Sequence, residues 1–338
     1  MNKSRSAGAL FLAALLSIFL VPAQPARAAS AGDLELVAGC YYTNPEHTMR
    51  YESNGRWTPF TDVTVNWPGP SLTTKGAAVA RVGFSSHTVA LDANGNMWHA
   101  VRPSGGLWTP FNAVEPFAGS HAPFQQIAAT SVGADLWVVA STTHGAYLTI
   151  RTGATGLWSP FDWFYSVVPE QQIIDLGVTW VYNSDVYPFI TRSDGGLRTG
   201  ALRGGTLINQ WDISGNIRSA SADSTRGGMI HLTAVTRSDQ VVHQALPRLG
   251  QWTGWRDVEA TMGFHRPANT TIWEVATGVD SLDRAFVTAR AYGPGGDVIW
   301  NGMRRADGYW TQFAEPKNFG AGQVCRGNDV ISVSSTAH

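Results

Sequence analysis

Six arginines each close a β-type run a few residues ahead of a tryptophan in a near-constant setting. Arg50, Arg102, Arg151, Arg203, Arg248 and Arg304 precede Trp57, Trp108, Trp158, Trp211, Trp252 and Trp310. Four residues before each arginine stand Glu46, Trp98, Tyr147, Thr199, Gln244 and Trp300. Residues four apart on a strand share a face, so several of these runs should carry an aromatic ring and a guanidinium on one side. That pairing allows two chemistries. In one the arginine stacks on an aromatic or ties its repeat to the next. In the other the pair forms a sugar pocket: the ring stacks on a pyranose, the arginine donates to hydroxyls, and a neighbouring imidazole or amide completes the set. The second reading selects Trp98, His99 and Arg102, then Tyr147 and Arg151, then Trp300, Asn301 and Arg304 as ligand-binding residues.

Other chemistry has little support. There is no His-x-x-x-His pair on a helix and no cysteine cluster, so no metal is expected. No cofactor-binding motif and no Gly-x-Ser-x-Gly elbow occurs. A Ser-x-Asp-x-Gly-x-Thr-Trp box of the sialidase kind is missing; Ser193-Asp194-Gly195-Gly196 is nearest and reads as a turn. Asp135, Asp175, Asp185, Asp223, Asp280 and Asp283 fall in or beside expected turns, where aspartate is common for backbone reasons. Two of them could still form a glycosidase acid/base couple. His99, His144, His231 and His243 are scattered over strand and turn positions.

The elements that must position these residues follow from the tryptophans. Their gaps are 51, 50, 53, 41 and 58 residues. Self-similarity at a period near fifty marks a repeat architecture. The repeat from Val79 divides into ARVGFSS, HTVALDA, NMWHAVR and LWTPFNAV, with Asp92-Ala93-Asn94-Gly95 and Ser104-Gly105-Gly106 between the last three. Asn-Gly and Gly-Gly steps make hairpin turns because both residues accept positive φ cheaply. Four antiparallel strands per repeat describe a propeller blade, and no long stretch shows a helical period. The anchors imply an all-β, six-bladed β-propeller in which each repeated tryptophan packs between blades. The terminal run DVISVSS is a spare strand that can complete the first blade, so that both chain ends share it.

Residues 1–29 read as a cleaved secretory signal: Lys3 and Arg5, an apolar run from Ala7 to Val21, then Ala26-Arg27-Ala28. Residues 30–338 then form one exported, extracellular propeller domain with no membrane span. Without the signal the chain keeps 21 basic and 25 acidic residues, a net charge of −4. That balance argues against a binder of nucleic acid or anionic membrane, which would carry a basic excess. The two cysteines, Cys40 and Cys325, lie near opposite ends of the mature chain. Ring closure brings those ends together, and an oxidising compartment permits a disulfide between them.

With the repeat laid out, the chain resembles the PLL-like and tectonin/tachylectin-type propeller lectins. The resemblance rests on Thr236-Arg237-Ser238-Asp239 with His243, Trp98-His99 with Arg102, Thr191-Arg192-Ser193-Asp194-Gly195, and Gly250-Gln251-Trp252-Thr253-Gly254-Trp255. Six units also suit a fungal-type fucose-binding lectin ring. The resemblance implies non-catalytic binding of glycans or glycoconjugates at several equivalent sites, in clefts between blades or at their rim. The Trp211 repeat lacks the Gly-x-Trp-Thr-Pro-Phe pattern, so fewer working sites than blades are expected. Two other functions remain open on the same scaffold: a propeller that binds protein or peptide, and a glycosidase or polysaccharide lyase.

Overall fold

The computed structural model describes residues 33–40, 43–64, 72–119, 121, 123–181, 185–319, 324–325 and 330–337. The expected signal segment, 1–29, lies outside them. Blade 1 holds β1 (Leu34–Cys40), β2 (Glu46–Arg50) and β3 (Thr61–Asp62). Blade 2 is β4 (Thr74–Val82), β5 (Ser85–Asp92), β6 (Met97–Arg102) and β7 (Asn112–Ala113). Blade 3 is β8 (Gln126–Val132), β9 (Asp135–Ser141), β10 (Gly145–Arg151) and β11 (Asp162–Ser166). Blade 4 is β12 (Ile173–Trp180), β13 (Val186–Arg192), β14 (Leu197–Arg203) and β15 (Thr206–Ile213). Blade 5 is β16 (Ile217–Ser224), β17 (Ile230–Thr236), β18 (Val241–Leu246) and β19 (Arg256–Asp257). Blade 6 is β20 (Thr271–Val279), β21 (Ala285–Gly293) and β22 (Gly296–Arg304). The last strand, β23 (Val330–Ala337), pairs antiparallel with β1 and becomes the innermost strand of blade 1. Inner strands β23, β4, β8, β12, β16 and β20 neighbour one another in that order and close the ring.

Closure from both chain ends is sealed by the Cys40–Cys325 disulfide, which joins residues 285 apart in sequence with Cα atoms 5.4 Å apart. Both sulfurs are buried in a cluster with Leu34, Leu36 and Phe286, where blade 1 meets blade 6.

The recurring Trp-(Ser/Thr) step has a backbone cause. The residue after the anchor donates its N–H to the third strand of its blade, as in Thr58 N to Met49 O, 2.8 Å, and Thr253 N to Ala245 O, 2.9 Å. Its hydroxyl then accepts from the N–H of the same third-strand residue: Met49 to Thr58, Val101 to Thr109, Ile150 to Ser159, Ala245 to Thr253 and Met303 to Thr311, all at 2.9 to 3.0 Å. A side-chain oxygen thus takes the place of a ladder carbonyl where a Pro, Gly or Gln turns the edge outward. In blade 6 this edge is pinned by bridges Arg304↔Trp310 and Asn301↔Ala314. The Trp211 repeat has Asp212 instead, and its outer strand β15 runs eight residues. Trp211 lies 6.3 Å from Tyr187 of its own blade. Both rings pack against a cluster that blades 4 and 5 share.

Between blades the inner strands are tied by side chains. Ser219 and Ser221 accept the N–H groups of Val275 and Thr277 at 3.3 and 2.9 Å. Asp175 accepts from Leu176 N and, across to blade 5, Ala220 N at 2.9 and 2.8 Å. Asp223 accepts from Ser224 N and, across to blade 6, Val279 N at 2.8 and 2.7 Å. Both carboxylates stand on inner strands and line the axial channel, a cavity of about 620 Å³. The turn positions expected for these two aspartates are therefore corrected. The channel-side edge of an inner strand has no neighbouring strand to supply acceptors, and a short side chain fills that need.

Candidate functional site

Strand register shows which repeats build a cleft together. On β6, Trp98 and Arg102 face one side and His99 the other. Trp98 packs with Val63, Leu72 and Trp108, toward blade 1. Its indole N–H donates to Asp92 at 3.1 Å. Arg102 donates to Glu35 Oε1 of blade 1 at 3.2 Å. Tyr147 packs with Phe124, Leu91 and Met97, toward blade 2. Trp300 is buried with Phe264, Phe313, Val235 and Val241, toward blade 5. Aromatic and arginine therefore share a face, as the spacing predicts. Four strand residues span about 13 Å, so the two cannot grip one sugar ring together. The aromatic member is half-buried or buried packing at the far end of the strand.

His99 and Asn301 point into the following cleft. His99 meets blade 3, its ring 5.2 Å from that of Trp158 in an edge contact. Asn301 donates to Thr288 Oγ1 at 3.0 Å. The three sets predicted from single repeats are thus redistributed: each arginine works against the imidazole or amide of the preceding blade.

Three clefts then share one plan. Between blades 2 and 3, His87 Nδ1 and His99 Nε2 lie 3.0 Å apart, with Arg151 and Trp158 opposite. Between blades 5 and 6, His231 Nδ1 and His243 Nε2 also lie 3.0 Å apart. There Trp310 sits 5.2 Å from His243, and Arg304 is close enough to bias both imidazoles. Between blades 1 and 2 a carboxylate replaces the first imidazole. Glu35 Oε1 lies 3.1 Å from His47 Nε2, Glu35 Oε2 accepts from Ser86, and Trp108 lies 5.3 Å from His47. Each pair is 12 residues apart in sequence and sits diagonally across the second hairpin of its blade. The corresponding position holds Trp137 in blade 3 and Phe286 in blade 6. The repeated spacing of twelve was the available sequence signal, and reading the histidines one at a time missed it. In blade 5 the register sets His243 opposite Arg256, as His99 is set opposite Asn112. The column position there belongs to Val242, not Gln244.

The electrostatics follow from burial. Desolvation pushes His87 down to about 4, with Arg151 adding to the effect. His231 falls to about 4 for the same reason, with Arg304 adding. His99 and His243 are held well below the ordinary value by burial, then by their partner imidazoles and the facing arginines. The dyads are neutral at pH 7. Nε2 of His231 is buried without a partner among the described residues. Burial alone would raise the Glu35 carboxyl, but hydrogen bonds and charge from His47, Ser86 and Arg102 outweigh it and hold the group below its usual range. The cleft between blades 2 and 3 keeps a cavity of about 270 Å³ lined by Val82, Gly83, His87, Leu136, Arg151 and Gly153. That is just under the ~300–1,000 Å³ of common ligand pockets, a size for one small ring.

Among the described residues, Cys40, Glu46 and Cys325 come within ligand distance of one another. Both sulfurs are committed to the disulfide and Glu46 accepts from Cys325 N, so this trio does not fit a metal ion. No described helix is long and apolar enough to cross a membrane.

By sequence, no protein-family model and no curated protein matches the chain. By structure, it is similar to a variant of the Aleuria aurantia lectin in complex with Fucα1-6GlcNAc, at 12% identity and TM-score 0.59, over 87% of this chain and 94% of that one. It is similar to the BP39L lectin from Burkholderia pseudomallei at 14% identity and TM-score 0.54, over 86% and 82%. A variant of the NanB sialidase from Streptococcus pneumoniae also matches, at 10% identity and TM-score 0.58, over 80% and 65%. At these identities the likeness shows the six-bladed β-propeller fold, a scaffold that serves sugar binding and sugar chemistry alike.

Proposed function

We propose that the protein is a secreted propeller lectin of the PLL-like or tectonin kind that binds glycans without chemistry. The observation that carries this reading is the threefold recurrence of one cleft: a polar pair from one blade, facing an arginine and a tryptophan from the next. A guanidinium offers fixed donors to vicinal hydroxyls, and an indole offers an apolar face to a pyranose. Neutral imidazoles add both a donor and an acceptor. Of the remaining clefts, two carry Trp137 or Phe286 at the corresponding floor position and the third, between blades 4 and 5, carries Val186, so three sites are the expected number. Several weak sites gain avidity on a multivalent surface.

Two observations favour binding over hydrolysis. Both oxygens of Asp175 and both oxygens of Asp223 are engaged by hydrogen-bond donors, chiefly the amides of their own and the next strand, which casts them as blade ties. The three clefts supply one buried carboxylate, Glu35, where a glycosidase uses two. A glycan array probed with the mature protein tests the proposal, with fucosylated structures among the first probes because one structural neighbour was solved with such a disaccharide. Binding lost on Arg151→Ala or Arg304→Ala supports it. Binding that survives replacement of Arg102, Arg151 and Arg304 together points to a protein- or peptide-binding propeller, and turnover of any array glycan points to an enzyme.

A further inference from the structure

The ring has two ends, and antiparallel order assigns every hairpin to one of them. Hairpins joining first to second and third to fourth strands all emerge at the same end. That end carries Phe84, Leu107, Leu157, Leu249, Leu282 and Tyr309, all exposed, with Leu249 99% and Tyr309 73% open to solvent. Each sits at a hairpin tip, where turn chemistry calls for a polar residue or glycine. Leu107, Leu157 and Tyr309 directly precede anchor tryptophans, so they recur at one place in the repeat. Isolated exposed apolar residues are ordinary. Six at the tips of one end, on four of six blades, form a pattern.

The charge at this end is also one-sided. Its described hairpins expose Arg56, Arg203, Arg226, Arg248 and Arg305 but only one acid, Asp307, among exposed charged residues. Arg203 pairs with half-buried Asp185 and Arg305 with Asp307, which leaves Arg56, Arg226 and Arg248 without an acidic partner among the described residues. The chain as a whole carries −1, so the basic excess is local. The cleft between blades 2 and 3 opens here too, since Gly83 and Gly153, in two of these hairpins, line it.

We infer that this end docks flat on an anionic lipid surface, with the hairpin tips entering the interface and the arginines meeting headgroups. Geometry selects this occupant. Propeller construction brings the tips to a common level, spaced by a blade's width around the channel mouth. A bilayer meets all of them at once, whereas a single peptide reaches two or three. Apolar tips with interleaved cations are the chemistry of interfacial binding, and arginines near an anionic leaflet strengthen it. The inference does not require the clefts to bind sugar. If they do, docking would present them to membrane glycans.

The test uses the mature protein and glycan-free vesicles, of phosphatidylcholine alone or with phosphatidylglycerol, read by co-sedimentation. Binding is expected with phosphatidylglycerol and at least about tenfold weaker without it. The variant Leu107→Ser/Leu249→Ser/Tyr309→Ser should lose at least about tenfold in vesicle binding with an unchanged melting temperature. Single Leu249→Ser, at a side chain with no packing, should show a smaller loss in the same direction. No binding to anionic vesicles overturns the inference, as does equal loss from Phe117→Ser/Tyr292→Ser at the opposite end. Concentration-dependent dimerisation abolished by the triple variant, without vesicle binding, assigns the face to a second copy of this chain and overturns it too. Because the vesicles carry no glycan, each outcome is independent of the glycan array.

Discussion

Two buried imidazoles held 3.0 Å apart, twice in one ring, make acid the natural probe of this protein. The sign of the effect depends on opposing groups. His87 and His231 sit at about 4 in the fold against 6.5 free, and burial first of all also holds His99 and His243 well below 6.5. The unfolded chain therefore takes up these protons first, and stability falls as pH drops from 6.5 toward 4. Asp175 and Asp223 act oppositely. Burial in the channel wall raises both to about 6 from 3.8, so the folded chain gains protons, and stability, over nearly the same window. Four imidazoles outweigh two carboxyls, and the melting temperature should decline from pH 6.5 to pH 4. Asp175→Asn with Asp223→Asn should steepen that decline relative to pH 7, and His87→Gln with His99→Gln should flatten it; melting curves at four pH values read both. Arginine substitutions separate binding from folding at the same scale. Arg102→Ala leaves Glu35 buried with less compensation and should lose about 3–5 kcal/mol of stability. Arg151→Ala breaks no carboxylate pair and should weaken glycan binding about 10- to 100-fold, the worth of a charged hydrogen bond, with little change in melting.

The blade edge is where sequence and structure agree most closely. Five hydroxyls after anchor tryptophans accept a third-strand N–H. Thr253→Val keeps shape but orphans a part-buried donor and should cost about 1–3 kcal/mol, measured by denaturant unfolding, whereas Thr311→Val, at an exposed bond, should cost less. Thr58→Ser should be close to neutral. The strands, turns and blade number were legible because each depends on local chemistry: Asn94-Gly95 makes a turn wherever it occurs, and a period near fifty survives divergence. The clefts were less legible because their parts come from two repeats. Arg102 and His99 are three residues apart yet serve different clefts, since an odd step reverses the face of a strand. Asp175 and Asp223 looked like turn residues because composition does not show that an inner strand leaves its channel-side edge without a neighbouring strand. The Trp211 repeat announced its departure by losing the Trp-Thr step, and the long paired β15 is what that loss produces.

For the whole molecule, ring closure is the cooperative event. β23 must return across the full chain to meet β1, and the disulfide joins residues 285 apart. Chain-entropy reasoning assigns a bond across so long a loop on the order of 5 kcal/mol. Reduction, or Cys40→Ser with Cys325→Ser, should lower the melting temperature strongly and loosen blade 1 first, seen as fast amide exchange in β1 while β12 and β13 stay protected. The ring also fixes how the clefts are displayed: between blades 1 and 2, 2 and 3, and 5 and 6, all facing the end that carries the apolar tips. The proposal under test is that these clefts take sugars. Its most direct measurement is a glycan array with the mature protein beside an Arg102→Ala/Arg151→Ala/Arg304→Ala variant shown to be folded. Avid, glycan-selective binding that the variant loses is the expected result; an array that stays dark at high protein density, or a variant that binds as well as the parent, would overturn the proposal.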